Sequence, residues 1–197
     1  MSTPDRTTVE EPGLPRGSTL ARGGLAGGVA WLLGYLIAYV AEADAVSESL
    51  RGVGFVSQLL GGEAVPTWKG VSWLFLNAHF VATKFPTVAG GTRTANFVTG
   101  EDGATLLLAL PPLLLVVAGL IAAYGRPGAI SDRAKRGATV ALGYLPLSAA
   151  AALASGHALG ETDAAIAPDL VTAVLLAGAV YPLVFGAIGG AVADALD

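Results

Sequence analysis

The polar residues best suited to chemistry lie within one apolar stretch, residues 66–83, with the sequence PTWKGVSWLFLNAHFVAT. It places Ser72, Asn77 and His79 among aromatic and aliphatic side chains. Ser72 and His79 are seven residues apart and share a helix face, whereas Asn77 shares a face with Trp73. Histidine titrates near neutral pH, so His79 could carry or sense a proton. The alternative is that these side chains hydrogen-bond to neighbouring helices and fix their packing.

A second candidate site combines prolines and tyrosines near the centres of three other apolar segments. Proline removes a backbone hydrogen bond and kinks a helix. Kinks at one depth can expose carbonyl groups around a midplane site, to which neighbouring tyrosines would add hydroxyl groups. The residues are Pro111, Pro112, Tyr144, Pro146, Tyr181 and Pro182. Ordinary kinked packing is the alternative, because membrane helices carry more proline than soluble ones.

A stripe of small residues marks the last apolar segment. Gly178, Gly186 and Gly190 follow one another at multiples of four, with Pro182 between them. Such spacing lets helices approach closely. It predicts helix packing, either within the chain or between copies in a homo-oligomer.

Several kinds of chemistry are not expected from the composition. The chain has no cysteine and only two histidines, His79 and His157, so thiolate ligands, cysteine nucleophiles and a multi-histidine metal site are not expected. The apolar segments hold no carboxylate that could partner His79 as an acid or base. The net charge is −4, and no strong basic run would bind nucleic acid. We therefore expect no catalytic residues, no metal, no cofactor, no enzyme activity and no nucleic-acid partner.

The elements that position these residues follow from the distribution of charge. Hydrophobic residues make up 53% of the 197 residues and charged residues only 13%, and the mean hydropathy is +0.64. Residues 23–41, 103–124, 137–156 and 170–193 contain no charge. Each run is close to the ~20 residues that a helix needs to cross a bilayer. The sequence therefore predicts an all-α polytopic membrane helix bundle with the lipid bilayer as its surroundings.

Residues 66–83 provide a fifth hydrophobic helix, which at about 27 Å barely spans a bilayer. Whether it crosses fully or re-enters stays open. Residues 45–60 have mixed polarity and predict a short interfacial helix. Residues 1–20 are polar and predict a disordered tail, so the membrane-embedded domain is placed at residues 21–194.

Orientation follows from the loops between the later segments. Residues 125–136 carry four of the eleven lysines and arginines, whereas residues 157–169 carry only acidic charges. By the positive-inside rule, loop 125–136 and the C-terminus are predicted to be cytoplasmic in a multi-pass plasma-membrane protein. The side of the N-terminus stays open, because the charge counts do not decide between five crossings, four, and six. The sixth crossing would be residues 45–61 and would place Glu48 and Arg51 in the membrane.

Several strings resemble a family of haloarchaeal membrane proteins of unknown function. They are PTWKGVSW at 66–73, NAHFV at 77–81, NF at 96–97, GYLPL at 143–147 and PDLVTA at 168–173. The resemblance covers most of residues 20–193 and implies a salt-adapted archaeal plasma membrane, but brings no activity. The fifteen acidic residues against three lysines agree with salt adaptation, although acidic loops alone would look the same.

The expected function is that of a non-catalytic integral membrane protein, either a small transporter or channel-like protein, or an assembly subunit. The transport version places a substrate or ion between the kinked segments and the helix of His79. The assembly version uses the glycine faces to bind a membrane-protein partner. A cavity that reaches His79 would favour transport, whereas a fully packed His79 with an exposed glycine stripe would favour assembly.

Overall fold

A computed structural model describes residues 17–59, 61–87, 90–100, 104–160 and 164–196. They are mostly helical. The α-helices are α1 (Gly17–Leu59), α2 (Thr67–Asn77), α3 (Leu110–Ala123), α4 (Ile130–Ala138), α5 (Ala141–Ala154), α6 (Leu170–Thr172) and α7 (Tyr181–Val192). Two 3-10 turns, Thr105–Ala109 and Ala193–Leu196, and a π-helical stretch, Ala173–Val180, adjoin them.

Four helical stretches are long and apolar enough to cross a membrane. They are Gly17–Leu59, Thr105–Ala123, Ile130–Ala154 and Leu170–Val192 among the described residues. Each stretch overlaps one of the apolar helices predicted for 23–41, 103–124, 137–156 and 170–193. The first prediction lies wholly within its stretch, and the other three agree with theirs to within two residues at the ends that extend past them. The count of five hydrophobic helices is not confirmed, and neither is a separate interfacial helix.

The predicted interfacial helix is the continuation of α1. This helix runs unbroken for 43 residues, about 65 Å at 1.5 Å per residue and roughly twice the ~30 Å of a bilayer core. Beyond the charge-free run it carries Glu42, Asp44, Glu48 and Arg51. The mixed polarity therefore marks the part of α1 that extends past the apolar core.

The fifth predicted helix, α2, has only 11 residues, about 16 Å or half the thickness of a bilayer core. All of its residues from Gly70 to Asn77 are buried within the bundle. The ends of the segment lie close to the same connection between α5 and α6. Lys69 donates to the Gly156 carbonyl at 2.6 Å, and the Lys84 ammonium lies 2.5 Å from the Asp169 carboxylate. The segment 66–83 thus enters the bundle and turns back.

A small antiparallel sheet, which the all-α prediction did not contain, covers this end of the bundle. Its strands β1 (Thr83–Pro86), β2 (Thr92–Ala95), β3 (His157–Ala158) and β4 (Ala165–Pro168) are arranged in the order β2-β1-β4-β3. Thr83 pairs with Pro168 and with Ala95, so β1 lies between β2 and β4. The sheet joins the return of segment 66–83 to the loop before α6. We call this end of the molecule the sheet end.

The opposite end, here the terminal end, gathers the start of α1, the loop after α3 and the end of α7. Arg22 donates to the Tyr124 carbonyl at 3.4 Å, and Arg126 donates to the Thr19 hydroxyl. Arg133 donates to the Ala193 carbonyl at 3.3 Å. With an even number of long stretches, both ends of the described chain lie at the terminal end.

The domain boundaries stay a prediction. Helix α1 already begins at Gly17, so residues 17–20 of the predicted tail are helical, while residues 1–16 lie outside the described residues.

Single cysteines test this topology, since the native chain has none. We expect an impermeant maleimide to label Thr92→Cys in intact cells, and Ser18→Cys and Ser131→Cys only after lysis. All three positions are exposed: Thr92 lies at the sheet end, and Ser18 and Ser131 lie at the terminal end. Opposite behaviour of positions 18 and 131 would require an odd number of crossings and would contradict the fold.

Candidate functional site

His79, in the turn that follows α2, is the centre of a buried polar cluster with residues of α5 and α7. Its Nε2 lies 2.7 Å from the Tyr144 hydroxyl, and its Nδ1 lies 2.8 Å from the carbonyl oxygen of Phe75. The rings of Tyr181 and Tyr144 lie against the imidazole, with centroids at 5.1 and 5.7 Å. The structure therefore joins the predicted histidine to both predicted tyrosines, which the sequence had assigned to a separate site.

The surroundings of His79 define its tautomer. A carbonyl oxygen can only accept, so Nδ1 carries a proton and donates it to Phe75. A charged imidazole would be costly here, because the rings around it offer no carboxylate. In the neutral form Nε2 is an acceptor, and the Tyr144 hydroxyl donates to it. Both ring nitrogens are satisfied, and the residue has no exposed surface.

The cluster lies near the middle of the bundle. Tyr181 is the midpoint of the long stretch Leu170–Val192, and Tyr144 lies close to the middle of Ile130–Ala154. The 11 residues of α2 bring the chain to this depth. Five residues after His79, the chain is back at the sheet end, where Lys84 pairs with Asp169, the residue before α6. Segment 66–83 therefore enters the bundle to about half its depth as α2 and then turns back, with His79 in the turn that follows the helix.

Asn77 holds the reversal together. Its Nδ2 donates to the Val81 carbonyl at 2.6 Å and to the Thr83 hydroxyl at 3.1 Å, and its Oδ1 accepts from the Phe97 amide at 2.8 Å. The Asn96 side chain donates to the Asn77 carbonyl at 3.0 Å. Asn77 therefore satisfies backbone groups in a buried turn and does not point towards His79.

The turn itself ends α2 with a six-residue reversal. Val81 N–H bonds to the Leu76 carbonyl and Phe80 N–H to the Asn77 carbonyl, the pattern of a helix end with a left-handed residue. That residue is Phe80, with φ +61°, where glycine is usual. A phenylalanine in this conformation is held there by the surrounding bonds and marks a strained reversal.

Ser72, the third residue of the predicted polar site, forms a hydrogen bond within its own helix. The Ser72 hydroxyl donates to the Trp68 carbonyl of its own helix at 2.8 Å. It contacts neither His79 nor Asn77 through a hydrogen bond, so the three residues predicted as one polar site fall into three places.

The prolines have three different settings. Pro111 and Pro112 are the second and third residues of α3, where backbone N–H groups lack α-helical partners in any case. Pro146 lies inside α5. Pro182 follows the π-helical stretch whose Tyr181 N–H bonds to the Leu176 carbonyl, five residues back. Pro182 directly follows Tyr181, and Pro146 lies two residues after Tyr144, so both adjoin the buried cluster in sequence. The midplane kink site stays a prediction.

The glycine stripe is used inside the molecule. A side-chain carbon at Gly190 would collide with the Arg133 carbonyl, and one at Gly186 would lie 2.6 Å from Val140. A carbon at Gly178 would lie 3.1 Å from Leu145. These glycines let α7 and the π-helical stretch pack closely on α4 and α5, which is the intramolecular alternative.

A cavity of about 550 Å³ opens at the sheet end. Its walls are the extension of α1, the face of α2 around Gly70, and the β1–β2 hairpin with the loop that follows. Phe85 and Arg93 are cross-strand partners, so their side chains share a sheet face, and Trp73 and Phe97 flank Phe85. Glu42 and Arg93 line the cavity without forming an ion pair with each other or with another described residue.

Sequence reasoning missed this cavity and the ion pair that closes the re-entrant segment. Lys84 directly follows the apolar segment 66–83, where a lysine is expected only to anchor the helix end at the interface. Asp169 lies directly before an apolar run, which is a signal for a helix N-terminus. Its carboxylate indeed accepts from the Thr172 N–H at 2.8 Å.

No group of three or more potential metal-binding side chains occurs among the described residues.

The fold is thus a helical bundle with four candidate membrane spans, a half-depth helix and a small sheet at one end. Its apolar helices are compatible with an integral membrane protein. The chain belongs to the Family of unknown function (DUF7978), whose profile matches residues 1–197. No curated protein and no solved structure matches it.

The ion pair at the return of the segment predicts a pH dependence. The ammonium of Lys84 and the Thr172 N–H lower the pKa of Asp169 to about 2, below its ordinary 3.8. Because the folded pKa is the lower one, the stabilisation is complete above about pH 4 and is lost as the pH falls towards 2.

The measurement is the melting temperature between pH 2 and 7. We expect Asp169→Asn, which keeps a capping side chain, to melt below the native protein above pH 4, with the difference disappearing near pH 2. Lys84→Met removes the ammonium that lowers the pKa of Asp169, so the pH range over which Asp169 stabilises the fold should become narrower. A difference between the native protein and Asp169→Asn that is independent of pH would contradict the assignment.

Proposed function

We propose that the chain is a non-catalytic, multi-pass plasma-membrane protein that acts as a small transporter or channel-like protein, with α2 as its moving element. The observation that carries the proposal is the half-depth helix. Its outer part lines the 550 Å³ cavity at the sheet end, and its inner tip places His79 against Tyr144 and Tyr181. Non-spanning helices at membrane depth are tolerated where they are buried in protein or line a cavity.

His79 is fully packed, and the glycine stripe is packed inside the bundle, so neither condition stated from the sequence is met in full. We infer that this arrangement is the closed state of a transporter. Aromatic rings surround His79, and it is not among the residues that line the cavity at the sheet end. Movement of α2 would break the bond between His79 and Tyr144 and connect the cavity to the midplane. The strained reversal at Phe80 and the π-helical stretch before Tyr181 support such a movement, because both features are frequent at functional sites.

The orientation is part of the proposal. Seven of the eleven lysines and arginines lie before residue 23 or in residues 125–136, and the other four are Arg51, Lys69, Lys84 and Arg93. The positive-inside rule then makes the terminal end cytoplasmic, with the C-terminus and residues 125–136 inside. This predicted loop includes the first turns of α4, which begins at Ile130. The cavity opens outside. The acidic residues of the sheet end agree with a haloarchaeal, salt-adapted setting.

Proton flux into vesicles tests the transport proposal. With a trapped pH dye and an imposed pH gradient, we expect flux above that of protein-free vesicles. His79→Gln should lower it to the background, because the imidazole is the titratable group at the midplane. Tyr144→Phe, which removes the hydroxyl donor to His79, should change the rate in the same assay.

His157→Gln is the matched control. His157 is the second histidine and contacts the Glu63 carbonyl at the sheet end, so its variant should keep the native rate. Flux equal to that of empty vesicles, or unchanged in His79→Gln, would contradict transport by this cluster.

An assembly subunit is the second candidate, favoured by the outer part of α1. Phe55, Val56 and Leu59 are 63%, 50% and 70% exposed on the part of the helix that extends beyond the apolar core. Exposed apolar patches outside the bilayer mark interaction sites. The partner would be a second copy or another membrane protein, bound here and not at the glycine stripe.

The mass of the detergent-solubilised protein tests this second candidate. If α1 mediates assembly, the native protein should be oligomeric and Phe55→Ser with Leu59→Ser monomeric, because the substitutions remove the apolar contact. Arg51→Ser, on the same exposed helix, is the control and should keep the native mass. A monomeric native protein without a co-purifying partner would rule out assembly.

A further inference from the structure

A groove of about 640 Å³ runs along the outer surface between α1 and α3, separate from the cavity at the sheet end. Its walls are almost entirely aliphatic and include Leu25 and Val29 of α1 and Val117 and Ile121 of α3. These four side chains are 72%, 53%, 54% and 47% exposed. The groove therefore lies open on the side of the bundle that faces lipid in a membrane.

The groove has one polar end. Arg22 and Ser18 close it at the terminal end, where Arg22 donates to the Tyr124 carbonyl at 3.4 Å. Arg126 lies nearby, since it donates to Thr19 in the turn of α1 before Arg22. Neither guanidinium forms an ion pair with another described residue. Positive charge is thus concentrated where the aliphatic walls end.

The length of the groove matches one leaflet. From Arg22 to Leu33, its last residue on α1, the helix rises about 16 Å, half of the ~30 Å hydrocarbon core. A groove that begins at a cationic interface and ends at the midplane has the dimensions of a lipid chain below its headgroup. A helix of a partner protein would instead follow the whole length of a span.

We propose that this groove is a binding site for an anionic phospholipid of the leaflet at the terminal end. One chain lies between α1 and α3, and the phosphate contacts Arg22 with Arg126 beside it. Guanidinium groups bind phosphate oxygens through two parallel hydrogen bonds. Basic pockets between membrane helices bind lipid headgroups in this way. The site depends on residence in a membrane and does not depend on transport.

The test is the lipid retained by the intact protein in native mass spectrometry. Phosphatidylglycerol and phosphatidylcholine with the same chains are the probes. We expect the native protein to retain phosphatidylglycerol about fivefold better, the effect of roughly one cationic side chain near the surface. Higher salt should reduce this preference.

Two variants separate the headgroup from the chain. Arg22→Gln should abolish the preference for phosphatidylglycerol. Val29→Trp should fill the groove and lower the retention of both lipids while Arg22 stays in place. The matched controls are Arg51→Gln, an exposed guanidinium at the other end, and Leu36→Trp, an exposed α1 position outside the groove. Both should behave like the native protein.

Equal retention of the two lipids by the native protein would overturn the proposal. So would a preference unchanged in Arg22→Gln, or retention unaffected by Val29→Trp. Melting temperatures establish that each variant is folded, and a folded Val29→Trp keeps the test decisive if Arg22→Gln does not fold. Failure of this site would leave the flux experiment unaffected, since the groove and the His79 cluster share no residue.

Discussion

The fold depends on one constraint: a chain that reverses direction inside an apolar bundle must satisfy its backbone polar groups without water. Segment 66–83 does so at its inner tip. Asn77 accepts from the Phe97 amide and donates to the Val81 carbonyl, while the helix end is closed by the bonds of Phe80 and Val81. An unpaired backbone group at this depth costs several kcal/mol. Asn77, which the sequence placed in a polar site, therefore satisfies the backbone groups that allow α2 to end near the middle of the bundle.

Other features follow from placing a half-depth helix among four long stretches. The helix needs a wall on each side, and Gly70 lets α1 approach it at Val46 and Leu50. Its aromatic residues fill the space between α1 and α5, where Phe75 packs against Trp31 and His79. The return strand then needs a partner for its hydrogen bonds. The sheet supplies it, and the pair Lys84–Asp169 fixes the return directly before α6.

The sequence predicts the long apolar helices well, because a run without charges near 20 residues has few alternatives to a membrane span. It does not predict the fate of residues 66–83, because hydrophobicity measures burial and not direction. The length of the segment did not decide whether it spans the bilayer. A glycine would have indicated the left-handed residue of the turn, but that residue is Phe80. The residues His79, Tyr144 and Tyr181 were each chosen from sequence. Their contact was not predictable, since it depends on how deep α2 reaches. The strands have two to four residues and lack a pattern long enough to detect.

The His79 cluster can hold α2 in place permanently or can separate when α2 moves, and its hydrogen bonds show what such a separation would cost. In the first case, His79 joins α2 to α5 through one bond to Tyr144, a net contribution of about 1 kcal/mol. Separation would leave an imidazole nitrogen and a phenol unpaired in an apolar core, which costs about 1–3 kcal/mol for each group. Water or a polar solute entering from the cavity would remove that cost by bonding to both. If α2 moves as proposed, opening and entry of a polar species would be coupled, because the His79–Tyr144 bond would resist the movement until a hydrogen-bonding species reached the cluster.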